Sequence, residues 1–498
     1  MLTSLTDEGG QNMPCTTILV GKKASYDGST MIARNDDGRF DTKKLVVVHN
    51  QPKKYVSKIA HLEIELPDNP LSYTSTPNVT TDKAGIWAAN GINSENVAMT
   101  ATETITSNAL VLGADPYVVY KKAEKRGQKD IPGGLGEEDL VVVTLPYIHS
   151  AREGVIRLGQ LLEKYGTYEP NGIAFSDKDE IWWFETIGGH NWMARRVKDD
   201  EYVIMPNQLG IDYFDFEDAY GEQKEFMCSK GLKELTEKYH LNLNQGDKFN
   251  PRLAYGSHSD ADHVYNTPRA WYMARFFNPR TYKWDGCNAD FGPESDDIPW
   301  SLVPERKITV EDVKYILSSY YQGTPYNPYS AKDNPLKGKY RPIGICRTDV
   351  MAILQVRPYM PKEIAAVEWL CFGSNAFNVP LPLYTNVSKM PAYVSATTET
   401  VDSNNFYWAS RIFGALADAH FGTSVMFIER YQNTVAALGH KILNEYDEKM
   451  IKAKKFDLLD ECNEAMAKAV KEETNKYMKQ VLLDACAHMK NGYNRSDN

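Results

Sequence analysis

The chain has 498 residues, with 56 lysines and arginines against 66 aspartates and glutamates for a formal net charge of −10, and 42% of its residues are hydrophobic. That length suits about two to four ordinary domains or one large core with insertions, and the composition is that of a folded protein. The acidic balance and the lack of a long basic run argue against nucleic acid or an anionic membrane surface as partner, so a small neutral or zwitterionic ligand fits better.

Seven cysteines, at 15, 228, 287, 346, 371, 462 and 486, are scattered and odd in number, so a reducing cytoplasm is expected and a disulfide framework is not. No stretch reaches the ~18 apolar residues of a membrane span. The opening residues, MLTSLTDEGGQNMP, hold acids and glycines but no apolar run, unlike a secretory signal, and are expected to form a leader over 1–14.

In chain order, residues 16–20 and 30–33 are rich in Thr, Ile and Val and flank a turn with an Asp27-Gly28 pair, the pattern of a β-hairpin. Pairing Val20 with Thr30 brings Cys15 close to Asn35 and puts Arg34 and Asp37 in reach of the thiol. Further strands are predicted over 44–49, 85–89, 97–102, 172–176, 180–186, 192–197 and 201–205. Helices are predicted over 117–125, parts of 140–165 and 224–239, where apolar residues recur at three and four. Residues 249–342, dense in Pro, Gly, Asn and Tyr, are expected to wall a pocket. Strands over 343–357 and 363–372 follow. Residues 432–489, rich in Ala, Glu, Lys and Leu with a helical period, are expected to pack on the outside or on a partner subunit. The pattern predicts an α+β fold of two sheet layers with helices outside.

A cysteine attacks carbonyls as its thiolate and needs a base and a partner for the developing oxyanion. Where the nucleophile is the first residue, its own α-amine, with an unperturbed pKa of about 7.7–8.0, serves as the base. Removing residues 1–14 would make Cys15 such a residue, with Asp37 to orient the ammonium and Arg34 to favour the thiolate. An inert core cysteine beside a solvated turn is the blander account, and it stays open on these features alone.

The stretch CTTILVGKKASYDGSTMIARNDD (15–37) does not stand by itself. Together with GINSENVAMTATET (91–104), EEDLVVVTLPYIHSAREGVIRLGQLLEKYG (137–166), NGIAFSDKDEIWWFETIGGHNWMARRVKDDEYVIMPNQLGID (171–212), NTPRAWYMARFFNP (266–279) and RPIGICRTDVMAILQVRP (341–358), it resembles, in order, blocks of the C69-family dipeptidases. These are relatives of the choloylglycine hydrolases and penicillin V acylases among the N-terminal nucleophile hydrolases. The resemblance covers essentially everything after residue 14. It implies a four-layer αββα fold, a leader removed to expose Cys15, and hydrolysis of dipeptides through a thioester without metal or organic cofactor.

Carried over residue by residue, Cys15 matches the nucleophile, and Arg34 and Asp37 match the pair in the pattern Arg-Asn-x-Asp. Asn93 and Asn207 fall where the acylase relatives place groups around the oxyanion and the nucleophile's amine, with loop-capping turn asparagines as the alternative. Arg269 matches a later arginine of the acylases, with Arg275 as a rival. Pro14 departs from the pattern: trimming Met13 would leave Pro-Cys, so self-cleavage at the 14–15 bond or another protease is required. The implied organisation is a leader over 1–14, a catalytic domain over 15–430 with an insertion around 249–342, and a helical extension over 431–498, in a homo-oligomer. Two rivals remain: an amidase acting on non-peptide amides of the bile-salt or penicillin type, and a non-catalytic scaffold.

Other features are set aside. His258-Ser-Asp-Ala-Asp-His263 has no usual zinc spacing, and a polar loop is the preferred reading. Gly133-Gly-Leu-Gly136 precedes Glu137-Glu138-Asp139, so negative charge sits where a phosphate would bind. Trp182 and Trp183 are read as core, and the six cysteines beyond Cys15 as small buried hydrophobes.

Overall fold

The computed structural model describes residues 15–489 apart from 39, 82–84, 101 and 102; the leader expected over 1–14 lies outside the described residues. Strands β1 (Thr16–Val20) and β2 (Thr30–Asp37) form the predicted hairpin. Gly28 takes the left-handed conformation at φ 86, and Asp27 Oδ1 accepts from Ser29 N at 3.0 Å and Ser25 Oγ at 2.9 Å to close the turn. The register pairs Val20 with Met31 and Thr16 with Asn35, one residue away from the expected pairing of Val20 with Thr30. A one-residue slip exchanges faces. Cys15, one step before Thr16, therefore comes against Asp36 and not Asn35.

This hairpin lies at the centre of a seven-stranded antiparallel sheet. The other strands of the two large sheets are β3 (Asn90–Ile92), β4 (Ala98–Thr100), β5 (Glu103–Thr104), β6 (Asn171–Ser176), β7 (Ile181–Ile187), β8 (Asn191–Val197), β9 (Tyr202–Met205), β10 (Phe226–Cys228), β11 (Ser301–Leu302), β12 (Thr348–Val356), β13 (Ala366–Phe372) and β14 (Leu381–Tyr384). The first sheet runs β11-β9-β1-β2-β12-β13-β14. The second, also seven-stranded, runs β10-β8-β7-β6-β4-β3, with β5 pairing beside β4 on β6. Strand β2 lies against β4 and β6 of the other sheet, and β12 against β3 and β4. Every residue of β1, β2, β7 and β12 is buried, which is why these stretches read as continuous runs and not as alternating ones.

Helices cover both sheets. Helix α1 (Leu140–Thr144) leads into α2 (Ala151–Tyr165), which lies on β6, β7 and β8. Ser150 caps α2 by accepting from Glu153 N. Gly154 and Gly159 let α2 approach closely, since a Cβ there would lie 2.4 Å from the Phe175 ring and 2.3 Å from Trp192. On the first sheet, α3 (Thr267–Phe277) lies against β9, α4 (Val310–Leu317) against β1, β2 and β12, and α5 (Phe406–Ala419) against β13. The long helices α6 (Phe421–Ala453) and α7 (Leu459–Ala487) pair with each other and dock on β14. Their anchor is Asp447, which receives Arg357 Nη1 at 2.6 Å and Tyr384 Oη at 2.5 Å, while Asn463 bonds both backbone groups of Tyr384 at 2.9 Å.

The chain is thus mixed α and β, as expected, with local departures. Residues 117–125 hold an exposed strand, Val119–Lys121, paired with Ile131–Pro132, because the β-branched and aromatic run found a partner outside its own window. Residues 224–239 divide into β10 and a helix over Leu232–Lys238; the backbone of Phe226–Cys228 is taken up by β8. No strand forms over 85–89, and pairing starts at Asn90. Residues 249–342 contribute core as well as loop, since Trp271, Met273, Val313 and Ile316 of α3 and α4 are buried. Of the six further cysteines, Cys228, Cys371 and Cys462 are buried as expected, but Cys287, Cys346 and Cys486 are exposed.

Candidate active site

Cys15 is fully buried at the mouth of β1. The pleat of β2 sends residues 34 and 36 to one face, and the observed register puts the thiol on that face. Arg34 Nη2 donates to Cys15 Sγ at 2.9 Å, to Glu137 Oε1 at 2.8 Å and to Asp36 Oδ1 at 3.3 Å, while Nη1 donates to Ala89 O at 3.2 Å. Lys43 Nζ adds a pair to Asp36 Oδ2 at 3.1 Å and a bond to Trp87 O at 2.7 Å. Burial would raise the Asp36 carboxyl, but Lys43 and Arg34 outweigh it and hold the group below the usual carboxylate range. Two cations thus balance two carboxylates around the sulfur.

The ligand-type atoms of Cys15, Asp36 and Glu137 lie within 4.8 Å of one another, which makes this, among the described residues, the one place where three metal-ligating groups converge. Arg34 Nη2 sits within hydrogen-bonding distance of all three, so a guanidinium nitrogen stands where a metal ion bridging them would sit.

A second arginine fixes the other side of Cys15. Arg269, fully buried on α3, donates through Nη1 to Cys15 O and to Thr16 Oγ1 at 2.6 Å, and through Nη2 to Asn207 Oδ1 and Asn266 Oδ1, each at 2.7 Å. Because Arg269 takes the oxygen of the Asn207 amide, the orientation of that amide is set, and its Nδ2 donates to Thr104 O at 2.8 Å. Of the two rival arginines, Arg269 is the one that reaches Cys15; Arg275 pairs with Asp285 at 2.9 Å.

The other expected residues stand differently. Asp37 accepts from Thr348 Oγ1 at 2.5 Å and is ion-paired with Arg341. Of the two aspartates of β2, the one that shares Arg34 with the sulfur is Asp36, because alternation along the strand turns 35 and 37 to the opposite face. Asn93 departs from the expectation of an oxyanion donor. Its Nδ2 bonds Leu145 O at 2.9 Å and Ile148 O at 2.8 Å, and its Oδ1 accepts from Glu95 N and Val97 N, each at 3.1 Å. Both amide hydrogens are engaged in holding that loop.

Glu137 is the residue that sequence reasoning passed over. The acidic triplet set aside as merely phosphate-repelling abuts Arg34. Glu137 N donates to Glu169 Oε1 at 2.8 Å, and Tyr168 Oη to Glu138 Oε2 at 2.7 Å, while Tyr55 Oη donates to Asp139. Burial, with Asp139 alongside, pushes the Glu138 carboxyl up; burial pushes Asp139 up; burial together with Glu137 and Glu138 does the same to Glu169. The His258–His263 loop also serves the site indirectly. Asp262 Oδ1 receives Asn266 Nδ2 at 2.6 Å, and Asn266 in turn holds Arg269, while His263 Nε2 lies 3.1 Å from Asp296.

Residues 14–434 match the model of peptidase family C69, a span that starts beside Cys15 and takes in every residue placed above. The chain belongs to peptidase family C69. Among its relatives, a dipeptidase of Bifidobacterium longum is 50% identical over 97% of this chain and 100% of its own length. A probable dipeptidase A of Streptococcus pyogenes serotype M1 is 48% identical over 99% of this chain and 100% of its own, and dipeptidase A of Lactobacillus helveticus is 44% identical over 94% and 96%. No helix among the described residues is long and apolar enough to cross a membrane.

Proposed function

We propose that this C69 peptidase is a cysteine dipeptidase that uses Cys15, freed of residues 1–14, as an N-terminal nucleophile. The observation that carries the reading is the 2.9 Å contact from Arg34 Nη2 to Cys15 Sγ, a charged donor that favours negative charge on sulfur. The α-amine of Cys15 takes the thiol proton, and sulfur attacks the carbonyl carbon of the peptide bond. The oxyanion is met by an N–H of Asn207, whose amide Arg269 orients; such a donor is worth about 2.7–4 kcal/mol. The C–N bond breaks as the leaving amine collects the proton. Water, activated by the same amine, then cleaves the thioester and releases the first amino acid.

Three things support this reading: the dipeptidase activity for which the relatives are named, the two buried arginines that hydrogen-bond to opposite sides of Cys15, and two packed sheets with helices outside, consistent with the four-layer αββα sandwich. Asp37 and Asn93 act in it through the strand end and loop that they anchor. A cytoplasmic homo-oligomer without metal or organic cofactor belongs to the same proposal.

The test is amino-terminal sequencing of purified protein combined with assays on several dipeptides and an N-acylated amide. Active material is expected to begin at Cys15 and to prefer dipeptides. Cys15→Ser is expected to lose about 10³-fold or more of kcat/KM at an unchanged Tm. Full activity in a chain still joined to Pro14 would overturn the mechanism, and preference for the acylated amide would favour the amidase.

A further inference from the structure

A dipeptide differs from other amides in carrying an ammonium group on the atom next to the carbonyl carbon that is attacked. We propose that Glu137, with Asp36 and Asn90 beside it, receives that ammonium, so that residue 137 determines the requirement for a free amino group. The proposal rests on the dipeptidase reading of Cys15.

The first argument is distance. A reacting carbonyl carbon must come within about 3–3.5 Å of the sulfur, and the α-nitrogen of the same amino acid lies about 2.5 Å beyond it. A charge-assisted bond adds about 2.8 Å. Carboxylate oxygens of Asp36 and Glu137 within 4.8 Å of Sγ therefore stand where an ammonium on the attacked residue can touch them.

The second argument is an acceptor without a donor. Asn90 Oδ1 is buried with no hydrogen-bond partner, and Asn90 is only 3% exposed. The alternation of β3 sets the face on which it lies. A Cβ on Gly91 would meet Leu145 Cδ2 at 2.9 Å, so that face of β3 is turned to the residue that follows α1. Asn90, one residue earlier, projects to the opposite face, and the carbonyl before it, Ala89 O, is the one that receives Arg34 Nη1 at 3.2 Å. An unmade buried hydrogen bond is costly. An ammonium brings three N–H donors and no acceptor, which suits Glu137, Asp36 and Asn90 Oδ1 together.

The third argument separates this site from an acylase pocket. Glu138 and Asp139 follow Glu137 in the chain and Glu169 accepts from its backbone N–H, and a lining of such polar carboxyl groups disfavours an apolar acyl group.

The experiment compares kcat/KM for a dipeptide and for its desamino analogue, in which hydrogen replaces the α-amine, using the full enzyme. The unaltered enzyme is expected to prefer the dipeptide by about 100-fold or more. Glu137→Gln, nearly isosteric, is expected to cut that preference at least tenfold, with the loss falling mainly on KM for the dipeptide. An undiminished preference in Glu137→Gln overturns the proposal. Should that variant leave too little turnover to measure, Glu137→Asp decides: it must raise KM for the dipeptide more than for the analogue, and equal effects on both overturn the assignment. An unaltered enzyme that does not hydrolyse dipeptides sinks the dipeptidase reading itself, a different result from an enzyme that discriminates regardless of residue 137.

Discussion

Two buried arginines meet carboxylates on the first sheet, and they are built differently. Arg357 faces one acid, Asp447, with Nη1 at 2.6 Å and Nη2 at 3.2 Å, and the same acid takes the Tyr384 hydroxyl. That is a two-pronged grip of fixed geometry. Arg34 instead offers one nitrogen to three acceptors, Glu137, Asp36 and the Cys15 sulfur, at 2.8, 3.3 and 2.9 Å. The first arrangement fastens helices α6 and α7 to the sheet. The second brings one guanidinium nitrogen to two acids and a sulfur together, the arrangement on which the proposed role of Cys15 rests.

The sharpest way to break this contrast is to remove one acid from the fixed grip. Asp447→Ala leaves the Arg357 charge buried and unpaired, a change that typically costs about 3–5 kcal/mol. The expected result is a large drop in Tm or in the denaturant midpoint, with kcat/KM per folded molecule within about twofold of the parent at low temperature. A stable Asp447→Ala protein with impaired turnover would mean that the two clusters have exchanged roles.

The converse change is Arg34→Lys. Lysine keeps the charge but loses the planar fork that reaches Ala89 O and three acceptors at once. Turnover is expected to fall about ten- to a hundredfold, while Tm moves little because charge neutrality with Asp36 and Glu137 is kept. If Tm collapses and the surviving molecules turn over normally, Arg34 is a structural residue like Arg357.

How far this was legible in sequence depends on how local each cause is. The hairpin was visible because an Asp-Gly turn and two β-branched runs are neighbours. Its register was not, since residue pairing is also imposed by β9 and β12 on either side, and the loop is too long to set it. That single step separates Asp36 from Asp37. The doublet Asp36-Asp37 offered two chemically equal carboxylates, and only the pleat distinguishes them. Arg269 could be proposed from its block but not separated from Arg275 until the buried face of α3 was known. Glu137 acts on a residue 103 positions away, and the carbonyls that occupy the Asn93 amide are 52 and 55 positions away. No local pattern reports such partners, so the triplet read as mere repulsion and the asparagine as a free donor.

The smaller of the two stability effects concerns the loop that carries Asn207. Glu185, fully buried on β7, accepts from Gly210 N at 2.7 Å and Trp183 Nε1 at 2.9 Å, while its Oε2 has no partner, so it braces the 207–211 turn from below. Burial pushes its carboxyl up to about 7, against the hydrogen bonds that would lower it. A carboxyl raised in the folded state holds its proton more tightly there than in the unfolded chain. Its stabilising contribution is therefore complete below the unfolded value of about 4.3 and is lost as pH rises through about 7. Unfolding free energy should decline over that window by about 3 kcal/mol from this group. Glu185→Gln keeps the acceptor for Gly210 without the titration, so its profile should run flatter and overtake the parent above pH 7. Parallel profiles for the two proteins would show that Glu185 stays ionised in the fold, and the Asn207 loop would then be held by a charge comparable with those around Arg34.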